Sequence, residues 1–176
     1  MKYIAIIFLI VISLLLFYFT QFGKKVRNPV GKKISNLTIE GKMGQEAISF
    51  DSTLNTVLIW FHPECEHCRY QLNTINNHIE RLPTTRLIFL TDERTFFSNN
   101  YRFHWPNLIN SSHVLFGIID RSRFIDEFGP VLIPSLLFFN REGILKEKLL
   151  GEVKIAKIVK LIQKYTVPEQ MMSGSN

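Results

Sequence analysis

The chain has 176 residues, room for one sizeable domain and an appendage, and 46% of them are hydrophobic, as a globular core requires. Its formal net charge is +6, but several cations crowd at Lys24, Lys25, Arg27, Lys32 and Lys33 beside an apolar segment, which suits a membrane surface better than nucleic acid. Elsewhere Lys and Arg alternate with Asp and Glu, and no nucleic-acid motif occurs, so no nucleic-acid partner is expected; two cysteines exclude a disulfide framework.

Tyr3 to Phe22 is an uncharged stretch of 20 residues rich in Ile, Leu and Phe. A helix of that length rises about 30 Å and crosses a bilayer core. Residues 1–23 therefore read as an uncleaved transmembrane anchor. A cleaved signal peptide would have a shorter apolar region ending in small residues, whereas this one ends Leu16-Phe17-Tyr18-Phe19-Thr20-Gln21-Phe22. Counted literally, the cations of the basic linker, residues 24–33, keep the following domain in the cytoplasm. Long C-terminal domains cross membranes despite such charges, and a tethered dithiol is most useful where substrate disulfides persist. The expected location is a single-pass membrane protein with its domain on the extracytoplasmic, periplasmic side.

The folded domain is expected over residues 34–167. Leu37/Ile39 and Ala47/Ile48/Phe50 flank Gly41-Lys42-Met43-Gly44, the pattern of a hairpin with a turn longer than two residues. Thr56 to Phe61 reads as a buried strand, and Leu72, Ile75, Ile79 and Leu82 carry helical spacing over Arg69 to Leu82, closed by Pro83. Between strand and helix stand both cysteines, in Trp60-Phe61-His62-Pro63-Glu64-Cys65-Glu66-His67-Cys68. The free amides and positive dipole end of a helix N-terminus favour a thiolate, so this spacing argues for a redox site.

Arg86 to Thr91 predicts a second buried strand, Thr95 to Tyr101 a short helix capped by Asp92 or Thr95, and His113 to Asp120 a third strand. Arg121 to Phe128 reads as a helix stopped by Gly129-Pro130. Ser135 to Phe139 and Ile144 to Leu150 form strands around Asn140-Arg141-Glu142-Gly143, and Val153 to Tyr165 is an amphipathic helix. Residues 168–176 read as a disordered tail. The order predicts an α/β domain, a mixed β-sheet flanked by helices.

The stretch VLIWFHPECEHC, the segment Ile133-Pro134-Ser135-Leu136-Leu137-Phe138-Phe139-Asn140-Arg141-Glu142-Gly143, and Gly151 before the last helix resemble the thioredoxin superfamily. The likeness is nearest to its membrane-anchored TlpA/ResA-like thiol-disulfide oxidoreductases, the redoxins. It spans roughly Ile34 to Tyr165 and implies a thioredoxin-like fold. It further implies a cis Pro134 facing the cysteines and an Ile133 backbone that pairs with substrate. Two familiar proton-relay positions depart from the family: Ile59 stands for thioredoxin's buried aspartate and Gln71 for the ResA-like glutamate. Without an acid at either position, water, His67 or Glu66 is left as proton carrier, and Glu64, in place of the usual tryptophan before the first cysteine, puts a carboxylate near the mouth of the site.

On this reading Cys65 attacks and Cys68 resolves, with a redox-active Cys65–Cys68 disulfide and no other cofactor. His67 favours the thiolate and an oxidising disulfide, whereas Glu64 and Glu66 oppose it; the balance is read as a reductase. Partners implied are protein thiols and disulfides and a membrane or envelope electron donor. Two rival classes remain. One is a Sco-like copper metallochaperone binding through Cys65, Cys68 and His62, His104 or His113, although such proteins space their cysteines C-x-x-x-C. The other is a non-catalytic thioredoxin-like interaction module, with Phe96, Phe97, Tyr101, Phe103 and Trp105 as a partner surface. A peroxidase is not expected, since P-x-x-x-T-x-x-C is absent and Pro63 sits only two residues before Cys65.

Overall fold

A computed structural model describes residues 11–13, 29–34, 36–50, 53–82 and 85–166. Of the expected membrane-spanning stretch only residues 11–13 are among them, in helical conformation, so the anchor reading lies outside the described residues, as do residues 24–28 of the basic linker and the tail. Among the described residues no helix is long and apolar enough to cross a membrane.

The architecture is one seven-stranded mixed sheet with helices on both faces. Its strands are β1 (Asn36–Gly41), β2 (Gly44–Ser49), β3 (Asn55–Trp60), β4 (Thr85–Thr91), β5 (Val114–Ile118), β6 (Ser135–Phe139) and β7 (Leu145–Leu150), in the order β2-β1-β5-β4-β3-β6-β7. β3, β4 and β5 are mutually parallel, while β6 runs antiparallel to β3 and β7 antiparallel to β6. The helices are α1 (Glu66–Asn76), α2 (Pro106–Ile109), α3 (Arg121–Phe128) and α4 (Ile155–Thr166).

Because side chains alternate across a strand, the continuous apolar runs of β3, β4 and β6 fill two cores at once. Val57, Ile59, Leu87, Phe89, Leu136 and Phe138 face α1 and α4, meeting Leu72, Ile75, Ile158 and Ile162. Leu58, Trp60, Ile88, Leu90, Leu137 and Phe139 face the other way, against Phe124 and Phe128 of α3. Trp60 stacks on Phe124 with ring centroids 4.2 Å apart, and Phe50 lies 4.7 Å from Phe139.

Three expectations change. The first hairpin turns through two residues, since Gly41 pairs directly with Gly44, whose φ of +121° a glycine accommodates. The helix after the cysteines ends at Asn76 rather than Leu82. The buried Asn76 side chain accepts the Asn107 and Leu108 amides at 3.0 and 3.3 Å, tying the end of α1 to α2, and Ile79–Arg81 continues only as a 3-10 turn.

The Thr95 to Tyr101 stretch is no α-helix. Asn100 is left-handed, with φ 56°, which breaks the turns before it, and a 3-10 turn at Tyr101–His104 and the short α2 follow. Neither Asp92 nor Thr95 caps it; the Glu93 carboxylate instead accepts from the Thr95 amide and hydroxyl at 2.9 and 2.6 Å. The aromatic cluster is divided: Phe96 and Trp105 are core, with edge contacts to Phe61, while Phe103 is exposed.

Phe124 carries the second core, so Phe124→Ala should cost about 3–5 kcal/mol in urea denaturation, the range for a large aromatic truncated in a packed interior. A loss below about 1 kcal/mol would mean that α3 is not packed as described.

Candidate active site

The site forms where β3 ends. Phe61 still donates its N–H to Leu90 O at 3.0 Å, then the chain turns through His62 and buried Pro63, and the Cys65 amide donates to His62 O at 3.1 Å. Cys65 is the N-cap of α1: its backbone is extended, with φ −73° and ψ 122°, and its Sγ accepts the Cys68 N–H at 3.4 Å. A sulfur acceptor at this position satisfies one orphan amide and places any negative charge at the positive end of the helix.

The two thiols are free and unequally placed: Cys65 is half-buried, Cys68 wholly buried. Burial, first, and then the neighbouring Cys65 and Glu152 push the Cys68 thiol up from 9.0 to about 12, against a lowering contribution from a backbone hydrogen bond at His62.

The antiparallel partner strands bring the second half of the site. Pairing of Trp60 with Ser135 sets Pro134 beside the end of β3, and pairing of Ser135 with Leu150 sets Gly151 beside Pro134. The Ile133–Pro134 peptide is cis, as the resemblance implies. The Gly151 N–H donates to Pro134 O at 2.8 Å, and Gly151 has φ +81°, a conformation that favours glycine. Leu132, Ile133, Pro134, Gly151, Glu152 and His67 line an open groove of about 510 Å³ next to the dithiol. Leu132 and Ile133 present exposed apolar side chains to it, while Pro134 is buried.

The remaining expected residues take distinct positions. Glu66 is exposed at the first turn of α1, and His67, also exposed, forms an ion pair with Glu152 through Nδ1. Glu64 accepts the Tyr101 hydroxyl at 3.0 Å, and its amide donates to His62 Nδ1 at 3.3 Å. His62 Nε2 lies 3.5 Å from Glu93 Oε2, and hydrogen bonds from Thr95, then the His62 charge, hold the Glu93 carboxyl below its ordinary range. Gln71 is buried and points into the protein: its Nε2 donates to Val153 O at 3.2 Å and its Oε1 accepts the Val153 N–H at 2.6 Å. Ile59 is core.

Of the three histidines of the copper alternative, His62 lies in the cysteine turn with its Nε2 facing Glu93, and the other two lie elsewhere. His104 is exposed beside Trp105, and His113 precedes β5 at the N-terminal edge of the parallel strands, whereas the cysteines follow their C-terminal edge. Among the described residues no group of three or more His, Cys, Asp or Glu side chains could hold a metal ion. Glu152 and Glu93 escaped sequence reasoning. Glu152 had one signal, its place directly after the family-like Gly151; Glu93 had none.

Two outcomes test this geometry. Gln71→Leu leaves the buried Val153 N–H and C=O without partners and should cost roughly 2–4 kcal/mol in chemical denaturation; an unchanged midpoint would show that the clamp is not formed. In Cys65→Ser, the Cys68 alkylation rate should climb about tenfold per pH unit past pH 9 and level off only well above it. Since the folded value is raised, the stability that Cys68 contributes is complete below its unfolded pKa near 9.0 and disappears as pH rises toward about 12. Cys68→Ala should flatten the stability profile over that window.

No protein-family model matches the chain, and no curated protein matches its sequence. Solved structures do share its fold. A candidate thiol:disulfide interchange protein, DsbE, from Chlorobium tepidum superposes with TM-score 0.60 at 16% identity, covering 77% of this chain and 94% of that one. A peroxiredoxin-like protein from Aquifex aeolicus gives 0.63 at 12%, over 77% and 86%. A secreted disulfide oxidoreductase of Mycobacterium tuberculosis, homologous to E. coli DsbE, gives 0.58 at 8%, over 73% and 95%. With the strand order, the cis proline and the dithiol at the head of α1, these likenesses show that the described domain has the thioredoxin-like fold.

Proposed function

We propose that this chain is a membrane-anchored thiol-disulfide oxidoreductase that exchanges disulfides with protein substrates through Cys65 and Cys68, working as a reductant. The observation that carries the reading is the dithiol at the start of α1, with Cys65 as its N-cap and the cis Ile133–Pro134 peptide and its groove alongside. Cys65, the more accessible thiol, attacks one sulfur of a substrate disulfide and expels the other as thiolate. Cys68 then attacks Cys65, forming the Cys65–Cys68 disulfide and releasing the second substrate thiol. The substrate chain lies along Ile133 and Pro134, its apolar side chains against Leu132. Thioredoxin-like neighbours that include a disulfide oxidoreductase support the chemistry.

The direction follows from how little the site favours a thiolate. Cys68 is buried and pushed up, Glu64 and Glu66 stand near the mouth, and the carboxylate of Glu152 pairs with His67 and offsets any charge the imidazole lends to Cys65. A reduced form that gains little from ionisation makes a reducing couple. The apolar run of residues 3–22 supplies the anchor, and an oxidising compartment supplies substrate disulfides. The electron donor is accordingly a membrane or envelope dithiol.

A redox titration of residues 31–176, read by Cys65 alkylation with and without Cu(I), tests this. A two-electron couple near about −270 mV is expected, whereas one near roughly −120 mV would reverse the direction. Absence of a reversible couple, or loss of alkylation at stoichiometric Cu(I), would replace the oxidoreductase by an interaction module or a copper-binding one.

A further inference from the structure

A buried resolving thiol needs somewhere to send its proton, and neither Ile59 nor Gln71 can accept one. The structure brings a carboxylate from elsewhere. Gly151 is fixed to the cis-proline loop by its hydrogen bond to Pro134, and Val153 is fixed to α1 by two hydrogen bonds with Gln71. Gln71 lies one helical turn beyond Cys68 on the same buried face. Glu152, between these two anchored residues, therefore has its backbone pinned beside the Cys68 turn, and its carboxylate acts electrostatically on the Cys68 thiol. Its side chain is 37% exposed and reaches the groove that Pro134 lines, with His67, 74% exposed, paired to it from α1. Among the described residues, the titratable groups shown to interact with Glu152 are His67 and the Cys68 thiol; the cis-proline loop opposite lines the groove with Leu132, Ile133 and Pro134.

We propose that Glu152 is the general base of the resolving step, accepting the Cys68 proton directly or through one water as Cys68 attacks the mixed disulfide at Cys65. This rests on the oxidoreductase reading above. The step balances: the Cys68 S–H breaks and its proton passes to the Glu152 carboxylate. The Cys68 sulfur then bonds to Cys65 Sγ, and the Cys65–substrate S–S bond breaks. The departing thiolate leaves with the bonding pair and takes the proton back from Glu152. The enzyme dithiol is oxidised and the substrate disulfide reduced by two electrons. Gln71 is the positioning residue, holding the 151–153 segment without itself exchanging a proton.

The test uses the reduced full chain in detergent micelles with 5,5′-dithiobis(2-nitrobenzoate), which releases one aryl thiolate when Cys65 attacks and a second when Cys68 resolves. Glu152→Gln should lower the ratio of the second release rate to the first by about tenfold or more at neutral pH, a positioned base being worth roughly 10²-fold or above. The second release should also become proportional to hydroxide concentration, a change that a structural role would not produce. Glu152→Asp keeps a carboxylate on the same backbone, and its second release should be faster than that of Glu152→Gln and independent of hydroxide concentration near neutral pH. Equal second-phase rates in wild type and Glu152→Gln, or equal slowing in Glu152→Gln and Glu152→Asp, would overturn the assignment of Glu152. Failure of the wild type to release any aryl thiolate would instead overturn the oxidoreductase reading, and this inference with it.

Discussion

The antiparallel pairing of β6 against β3 is the constraint on which the site depends. A parallel strand beside β3 would begin at the far edge of the sheet. Because β6 runs the other way, its first residue lies next to the last residue of β3, as the Trp60 and Ser135 pair shows. The cis-proline peptide is thereby held beside the turn that leads into α1. β7 reverses once more and ends beside the start of β6, which returns Gly151, Glu152 and Val153 to the same edge. Three separate stretches of chain converge there, and the apolar cores on both faces keep the strands that carry them in register.

Burial then differentiates two chemically identical groups. Cys65 and Cys68 are three residues apart, yet one caps a helix at the surface and the other packs into the core with Leu72 and Ile75. The half-buried sulfur has a helix N-terminus to stabilise charge and a route to solvent. The buried one has neither, so its thiol form is favoured. In the proposed chemistry, the order of attack and then resolution follows from which side of a single helical turn each sulfur occupies.

Much of this was legible in the sequence. Continuous apolar runs marked the central strands, helical spacing marked α3 and α4, and the C-x-x-C between strand and helix marked the site. Less legible was whatever depended on side chains folding back on the backbone. The early end of α1 follows from Asn76 bonding to α2, and the break after Thr95 from a left-handed Asn100. Propensity cannot foresee either, since both are tertiary contacts or single backbone choices. Glu152 was hidden for the same reason: 84 residues separate it from Cys68, and only the register of β6 and β7 brings them together.

The amide at position 71 has a consequence for how the site behaves as conditions change. A carboxylic acid there could hold the Val153 amide only by accepting and the Val153 carbonyl only by donating, so each loss of its proton would sever one of the two bonds. An amide donates and accepts at once at any ordinary pH. Acidity can therefore alter the charge around the dithiol while the loop that frames the groove keeps its shape. The amide at position 71 thus serves architecture alone.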